Sequence, residues 1–197
     1  MLDKHPFEIH YLVAVARTWL SIRVELVEGR GQLFWPRPGR DFVVARTHSF
    51  GQLARAVDVA FARWDLAHMH MFTLFGGACI SALNHWDGDE PEGTVDSGKT
   101  KFGKLKPGDQ FAYVFDFGDE WAHVCTVGAE RVDPLELLGY VPDGPTPYWG
   151  WGVLPDQYGR GWDDDGDVAP KPPKPVLSDL PPILPLWGKQ RRARGRA

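Results

Sequence analysis

The chain has 197 residues, 43% of them hydrophobic, which is enough to bury the core of one domain. A formal net charge of −4 argues against a protein that is built as a whole to bind nucleic acid. No apolar run reaches the length of a membrane span, and the two cysteines form neither a disulfide framework nor a zinc motif. We therefore expect a cytoplasmic protein with no membrane partner, and no motif calls for a cofactor.

The first half of the chain combines strand patterns with one helix. Residues 18–28 alternate between apolar and polar side chains, as a half-buried strand does, and residues 41–45 follow as a second strand. Residues 49–64 carry apolar side chains at helical spacing and begin with a Ser-x-x-Gln capping box. We expect this helix to pack its apolar stripe on a sheet that includes a strand over residues 70–75.

A β-hairpin pattern over residues 111–127 is the strongest local signal. Two alternating apolar runs flank a Gly-Asp pair, which suits a two-residue type II′ turn. That register puts Asp116 and His123 on one face and on a diagonal, with Tyr113 on the opposite face. We expect Asp116 and His123 to form a hydrogen-bonded pair, which a loop longer by one residue would separate.

These patterns predict an α+β fold, made of a mostly antiparallel sheet with a central β-hairpin and one main packed helix. We expect a single domain over residues 1–167. Residues 86–99 are rich in Asp, Glu and Gly, so we expect a solvated and mobile loop there. Residues 168–197 are a proline-rich extension and a basic tail, and we expect the tail to be disordered.

Five polar side chains form the first candidate site. They are His68, His70, Asp116, Asp119 and His123. His68 and His70 are two residues apart on a strand, so they project to one face. A hydrolytic metal site would need three or four such groups to converge. The structural alternative is that Asp116 orients a partly buried His123 while Asp119 serves the turn, and the sequence leaves both open.

An aromatic surface is the second candidate site. Residues 142–167 are irregular, yet they carry too many aromatic side chains for a free linker, so we expect them to dock on the core. Together with one face of the hairpin they predict a recognition surface. Its members are Trp121, Trp149, Trp151, Tyr158 and Arg160.

The basic tail is the third candidate site. Its positive charges are Lys189, Arg191, Arg192, Arg194 and Arg196. Such a tail can contact phosphates without sequence specificity, and its affinity then falls as salt rises. The alternative is a solvated end without a partner.

Motifs that would identify an enzyme are missing from the sequence. The Asp-Phe-Gly of the hairpin lacks the glycine-rich loop, strand lysine and catalytic loop that a protein kinase needs upstream. No serine has the arginine-rich setting of a serine recombinase, and the acidic surroundings of the tyrosines oppose a phosphodiester substrate. The sequence therefore favours a protein that is not an enzyme, and it does not support resolvase or recombinase activity.

Three stretches carry a resemblance to a known family. They are WDLAHMHMF at residues 64–72, YVFDFGDEWAH at residues 113–123 and WGVLPDQYGR at residues 151–160. Over residues 17–167 the chain resembles the Ri-plasmid open-reading-frame-three-like family, and its last stretch resembles the TnpR passenger proteins of insertion elements. The resemblance implies a compact α+β fold with a mostly antiparallel sheet. The label "resolvase" in that family follows from gene neighbourhood and implies no activity.

The residues and the resemblance together predict a mobile-element passenger protein. We expect it to act as an accessory binding module for a protein partner or a small ligand. One alternative is a hydrolase, with or without a metal, that uses the His/Asp residues. Another alternative is an accessory DNA-binding factor in transposition that acts through the basic tail.

Overall fold

The computed structural model describes residues 19–159. The strands are β1 (Trp19–Gly29), β2 (Gln32–Leu33), β3 (Gly39–Ala45), β4 (His70–Leu74), β5 (Cys79–Ser81), β6 (Val95–Asp96), β7 (Gln110–Phe115), β8 (Trp121–Arg131) and β9 (Thr146–Trp151). The helices are α1 (Phe50–Ala60) and α2 (Pro134–Leu138), with 3-10 turns at Leu83–His85 and Phe102–Lys104. None of the helices in this range is both long enough and apolar enough to cross a bilayer. The expected extension and tail lie outside these residues.

The described strands form one nine-stranded sheet. Its order is β6-β5-β4-β7-β8-β1-β3-β9, and β2 pairs with β1. Every pairing is antiparallel except that of β5 with β6. The first strand, β1, lies between β8 and β3, so it pairs with a strand from the far end of the domain. This sheet with few helices confirms the sheet-rich α+β architecture.

Helix α1 begins where the capping box predicted it, but it ends at Ala60 and not at residue 64, and Trp64 is exposed. Ser49 Oγ accepts a hydrogen bond from Gln52 N at 3.2 Å, and Gln52 Oε1 accepts one from Ser49 N at 2.8 Å. Leu53, Val57 and Phe61 have no exposed surface and belong to the main core, between α1 and the sheet. A smaller apolar cluster that includes Trp19, Val43 and Ala45 lies outside this core.

The register between β7 and β8 differs from the predicted one by a single residue. Phe115 lies opposite Trp121, and Tyr113 lies opposite His123. The connection therefore spans residues 116–120 instead of two turn residues. Because side chains alternate between faces, the shift puts His123 on the same face as Tyr113, under α1. The predicted two-residue turn and the predicted Asp116–His123 pair are wrong.

Local hydrogen bonds of Asp116 explain this longer connection. Asp116 adopts a left-handed backbone conformation with φ of 57°. Its Oδ1 accepts hydrogen bonds from Gly118 N at 3.0 Å and Asp119 N at 3.3 Å, and its backbone oxygen accepts one from Glu120 N. The aspartate thus builds the loop around its own carboxylate, and this loop replaces the type II′ turn.

The acidic segment of residues 86–99 is more ordered than its composition predicts. Ser97 is 2% exposed; its N–H donates to Ser81 O, and its carbonyl accepts from Gly51 N, each at 2.8 Å. Trp86 Nε1 also donates to Ser81 Oγ at 2.9 Å. These bonds join the segment to β5 and to the start of α1. The expectation of a mobile solvated loop is therefore wrong for the part that holds β6 and Ser97.

Candidate functional site

The structure does not gather the five predicted polar residues in one place. His68 approaches Asp116 beyond the end of β7, with Nδ1 3.4 Å from Asp116 Oδ2. His70 and His123 instead flank Tyr113, with ring centroids 6.1 and 5.5 Å from the tyrosine ring. Asp119 forms a separate ion pair with an arginine of the β1–β2 turn at 3.6 Å. Two different polar groupings result.

The first grouping lies beneath the end of α1, and we call it the buried polar cluster (Asp58, Arg63, Tyr113 and His123). Tyr113 OH donates to Asp58 Oδ1 at 2.7 Å. His123 is fully buried, its Nδ1 lies 3.4 Å from Tyr113 O, and its ring packs edge-on against Phe61. All four members of the cluster are at most 5% exposed, so it is part of the core and not a cleft.

Burial dominates the electrostatics of this cluster. It raises the pKa of Asp58 to about 7, although the hydrogen bond from Tyr113 and the charge of Arg63 act the other way. Burial lowers the pKa of His123 to about 3, and the positive charge of Arg63 adds to that effect. Burial also lowers the pKa of His70 to about 4. Both histidines are therefore neutral at neutral pH, while Asp58 changes charge there.

Arg63 is the least expected member of the cluster. Its guanidinium carbon lies 3.6 Å from the ring centroid of Trp121, and the arginine is only 2% exposed. Burial lowers the pKa of Arg63 to about 10, which still leaves it charged at neutral pH. The sequence patterns pointed to neither Arg63 nor Asp58. An acid on the apolar stripe of α1, next to Val57, was the one available signal for Asp58.

The second grouping lies at the surface, and we call it the His68 cluster (Asp65, His68, Asp116 and Tyr158). His68 Nε2 is 3.1 Å from the hydroxyl oxygen of Tyr158, and Tyr158 OH donates to Asp65 Oδ2 at 2.7 Å. That bond lowers the pKa of Asp65 and raises the pKa of Tyr158 to about 12. The side chain of His68 is 32% exposed, so solvent reaches this cluster.

A metal centre does not form from these residues. Across residues 19–159, no three His, Cys, Asp or Glu side chains group so that they could hold a metal ion. In the His68 cluster, Asp116 approaches Nδ1 of the ring while Asp65 approaches Nε2, so the two carboxylates lie on different sides of the imidazole. The arrangement can hold or move a proton, but it does not enclose a cation.

The predicted aromatic surface is also divided. Trp121 is 1% exposed and lies in the main core, because the one-residue shift turns it under α1; its assignment to a surface is wrong. Trp149 is 65% exposed on β9, and Trp151 is half-buried beside it. Tyr158 belongs to the His68 cluster. Arg160 and the basic tail lie outside residues 19–159.

The exposed tryptophan borders an open groove of about 490 Å³ between β9 and the end of α1, which we call the β9 groove. It is lined by Arg40, Ala60, Pro147, Tyr148, Trp149, Gly150, Trp151 and Gly152. Arg40 Nη1 donates to Gly39 O at 2.7 Å and to Trp151 O at 2.9 Å. No carboxylate in the described range forms an ion pair with Arg40. The groove thus combines aromatic walls with a cation that lacks an anionic partner.

The His123 imidazole is expected to remain neutral from pH 8 down to about pH 5, because burial lowers its pKa to about 3. Nitrogen-15 NMR of the labelled imidazole rings measures this directly. Asp116→Asn should leave the His123 ring signals unchanged, because Asp116 contacts His68 instead. A His123 signal that titrates near the ordinary histidine value, or that moves in the variant, would contradict this placement.

Comparison with known proteins supports the architecture. A family model described as plasmid pRiA4b ORF-3-like protein matches residues 19–140. The crystal structure of protein of unknown function MM3350 from Methanosarcina mazei Go1 superposes with a TM-score of 0.50 at 19% identity, over 68% of this chain and 70% of that one, which shows a similar fold. No curated protein sequence matches. Since the matched range takes up more than half of the sequence, the chain belongs to the plasmid pRiA4b ORF-3-like protein family.

Proposed function

We propose that this protein is an accessory interaction module whose β9 groove binds an acidic, extended segment of a protein partner. Arg40 carries the proposal. Its guanidinium is partly buried, which lowers its pKa, and Nη1 bonds only to backbone carbonyls. A carboxylate on the partner would supply the anion that this cation lacks within the described part of the chain.

The aromatic wall of the groove supports the same function. Trp149 exposes 65% of its surface at the edge of the sheet. Tryptophan and arginine are enriched among the residues that contribute most to binding at protein interfaces. Arg40 and Trp149 lie in the same groove, so one ligand segment can contact both.

The edge of β9 favours recognition through side chains over addition of a further strand. Pro147 has no backbone N–H, and the β3–β9 register shifts between Asp41 and Phe42. Both features interrupt the regular ladder that an added strand would need. The affinity is therefore expected to depend on the partner's acidic and apolar side chains.

Fluorescence anisotropy with a labelled peptide that alternates glutamate with valine tests this function. Arg40→Gln and Trp149→Ala should each weaken binding about 5- to 30-fold, the usual effect of losing an important interface side chain. Arg131→Gln and Tyr140→Ala are matched controls, because both residues are exposed and do not line the groove. Equal binding of a glutamine-for-glutamate peptide, or equal losses in the controls, would contradict the proposal.

The wider setting is also a proposal. The resemblance of residues 151–160 to insertion-element passenger proteins supports a mobile element as the genetic context and a partner encoded by the same element.

The alternative of DNA binding through the basic tail concerns residues outside the described range. It predicts binding that weakens steeply with salt and is lost when residues 189–197 are deleted.

A hydrolase that uses the His68 cluster is the second candidate function. The supporting observation is a carboxylate next to Nδ1 of a partly exposed histidine, with that carboxylate held by two backbone N–H groups. Such a carboxylate orients an imidazole for acid–base chemistry. If the protein hydrolyses p-nitrophenyl acetate or p-nitrophenyl phosphate, His68→Gln and Asp116→Asn should each slow the reaction by about 100-fold or more. The control variant His85→Gln should leave the rate unchanged. Absence of turnover of both compounds counts against this function.

A further inference from the structure

We propose that the Nε and Nη2 edge of Arg63 is a binding site for a carboxylate group, and that residues 152–159 form a strap that covers it. The Arg63 edge itself belongs to neither the β9 groove nor the His68 cluster, although the strap begins at Gly152, which lines the groove, and includes Tyr158 of the His68 cluster. The proposal rests on the contacts of Arg63 itself, the charge that Arg63 retains, and the way in which the strap is fastened.

The first observation is the open edge of a buried guanidinium. Arg63 Nε and Nη2 have no hydrogen-bond partner among residues 19–159, although the residue is 2% exposed. To the described part of the chain, its side chain makes one hydrogen bond, from Nη1 to Pro155 O at 3.4 Å. Stacking on Trp121 at 3.6 Å covers a flat face of the guanidinium, so the N–H groups point sideways from the stack.

The chemistry of that edge identifies the ligand class. Nε and Nη2 of arginine together form a fork that matches the two oxygens of a carboxylate. This chain contains an occupied example, in which Arg23 Nε and Nη2 donate to the two carboxylate oxygens of Asp41 at 2.9 and 3.1 Å. Arg63 presents the same fork without its acid.

The positive charge of the buried Arg63 guanidinium also favours an anion as the ligand. Burial lowers the pKa of Arg63 to about 10, so the group remains a cation at neutral pH. Asp58, Asp119 and Asp156 favour its charge through space, yet no carboxylate of the described chain forms an ion pair with it. A buried charge without a direct counterion is destabilising, so a bound anion would be favoured.

Nearby polar atoms favour an acceptor as the ligand. Trp121 Nε1, on the indole that stacks against Arg63, is also buried with no partner among the described residues, and it can only donate. Together with the fork it gives three donor nitrogens that lack acceptors within the described chain. A neutral ligand with few acceptors would leave them unsatisfied, whereas a carboxylate offers two oxygens with several lone pairs.

The strap of residues 152–159 explains how a carboxylate can reach a site that is buried in this structure. Gln157 is fully buried; its Oε1 accepts from Trp64 N and Asp65 N at 2.9 and 3.0 Å, and its Nε2 donates to Asp65 O at 2.9 Å. Tyr158 adds its bond to Asp65. Within the described residues, the strap's one hydrogen bond to Arg63 itself is the one that Pro155 O accepts from Nη1 at 3.4 Å. The strap is thus fastened beside the site, and its release would open the fork.

The ligand carboxylate can belong to a free small acid or to an acidic side chain of a peptide, and the test has an arm for each. The full chain, labelled with nitrogen-15, is titrated with sodium acetate, with N-acetyl-aspartate N-methylamide, or with sodium chloride at equal ionic strength. The Arg63 Nε–H resonance should move saturably with at least one carboxylate and not with chloride. Response to acetate alone identifies a free acid, and response to the aspartate compound identifies a peptide side chain.

Two variants make the test decisive. In the same titration the indole Nε1–H resonance of Trp121 should also shift saturably in the wild type. Arg63→Lys keeps the positive charge but removes the fork, so it should abolish that shift, whereas Arg131→Gln should preserve it. Gln157→Ala loosens the strap without touching Arg63, and it should tighten the apparent affinity about tenfold or more. The proposal is overturned if the Arg63 resonance of both wild type and Gln157→Ala stays unmoved up to roughly 100 mM of either carboxylate, or if chloride gives the same shift.

Discussion

Replacing Phe61 with alanine is expected to lower the free energy of unfolding by about 3–5 kcal/mol, as for other buried phenylalanines. Phe61 follows α1 directly and has no exposed surface. Its ring packs edge-on against His123 with centroids 4.8 Å apart, and the Arg40 guanidinium lies 5.8 Å from the ring centroid. Truncation therefore leaves a cavity at the point where the helix, the sheet and the β9 groove meet. Guanidinium chloride unfolding followed by tryptophan fluorescence measures the change.

Val59→Ala is the matched control for this experiment. Val59 lies on the same helix but is 60% exposed, so its truncation should change the free energy of unfolding by less than about 0.5 kcal/mol. Leu53→Ala, at a fully buried position of α1, should cost about 2–5 kcal/mol. If Phe61→Ala unfolds at the same denaturant concentration as Val59→Ala, the packing of α1 on the sheet is wrong.

The second large effect is a pH dependence that Asp58 controls. Burial raises the folded-state pKa of Asp58 from 3.8 to about 7. The contribution of this carboxyl to stability is therefore fully present below pH 3.8 and is lost as the pH rises through about 7. The loss is at most about 4 kcal/mol, because one pKa unit corresponds to about 1.4 kcal/mol. Asp58→Asn removes the ionisation, so the stability difference between variant and wild type should move in favour of the variant between pH 4 and pH 7.

The quantity to measure is the difference in the free energy of unfolding between Asp58→Asn and the wild type. The wild-type value alone is not enough, because other titrating groups change its stability with pH in the opposite direction. Burial lowers the pKa of His70 and His123, so their contributions are lost as the pH falls below the ordinary histidine range. Tyr113→Phe removes the hydrogen bond that opposes the rise in the Asp58 pKa, and it should extend the pH-dependent range to higher pH. If the free energy of unfolding of Asp58→Asn minus that of the wild type is constant from pH 4 to pH 8, burial does not disfavour the ionised form of Asp58 and the prediction is wrong.

Local patterns in the sequence predicted much of the sheet and the helix. The capping box and apolar spacing located α1, and alternation located β1, β3, β4, β7 and β8. Strand β9 was not predicted, because TPYWGW contains a proline and a glycine and its partner β3 is remote in sequence. An edge strand can tolerate both residues because part of its backbone needs no ladder partner, and a local pattern cannot show this.

The candidate sites were less predictable, for two physical reasons. The carboxylate of Asp116 bonds its own loop, which moved the register by one residue and turned Trp121 and His123 toward α1. Arg63 stands in the loop after α1, where a lone arginine normally faces solvent, and only the tertiary stack on Trp121 buries it. The sequence therefore located the strands that carry His123 and Trp121, but it assigned both residues the wrong neighbours.

The position of β1 between β3 and β8 has a consequence for how the chain is made. Val24 pairs with Cys125, so β1 meets this neighbour only after roughly 100 further residues have been synthesised, which takes about 5–20 s at ordinary synthesis rates. In that interval β1 and β3 can pair, but the backbone edge of β1 that later pairs with β8 stays open, on a strand that carries the apolar side chains of Ile22, Val24 and Leu26. A growing chain with an open apolar strand edge is prone to associate with its neighbours. Efficient production of this protein is therefore expected to depend on a ribosome-associated chaperone and on slow, dilute refolding.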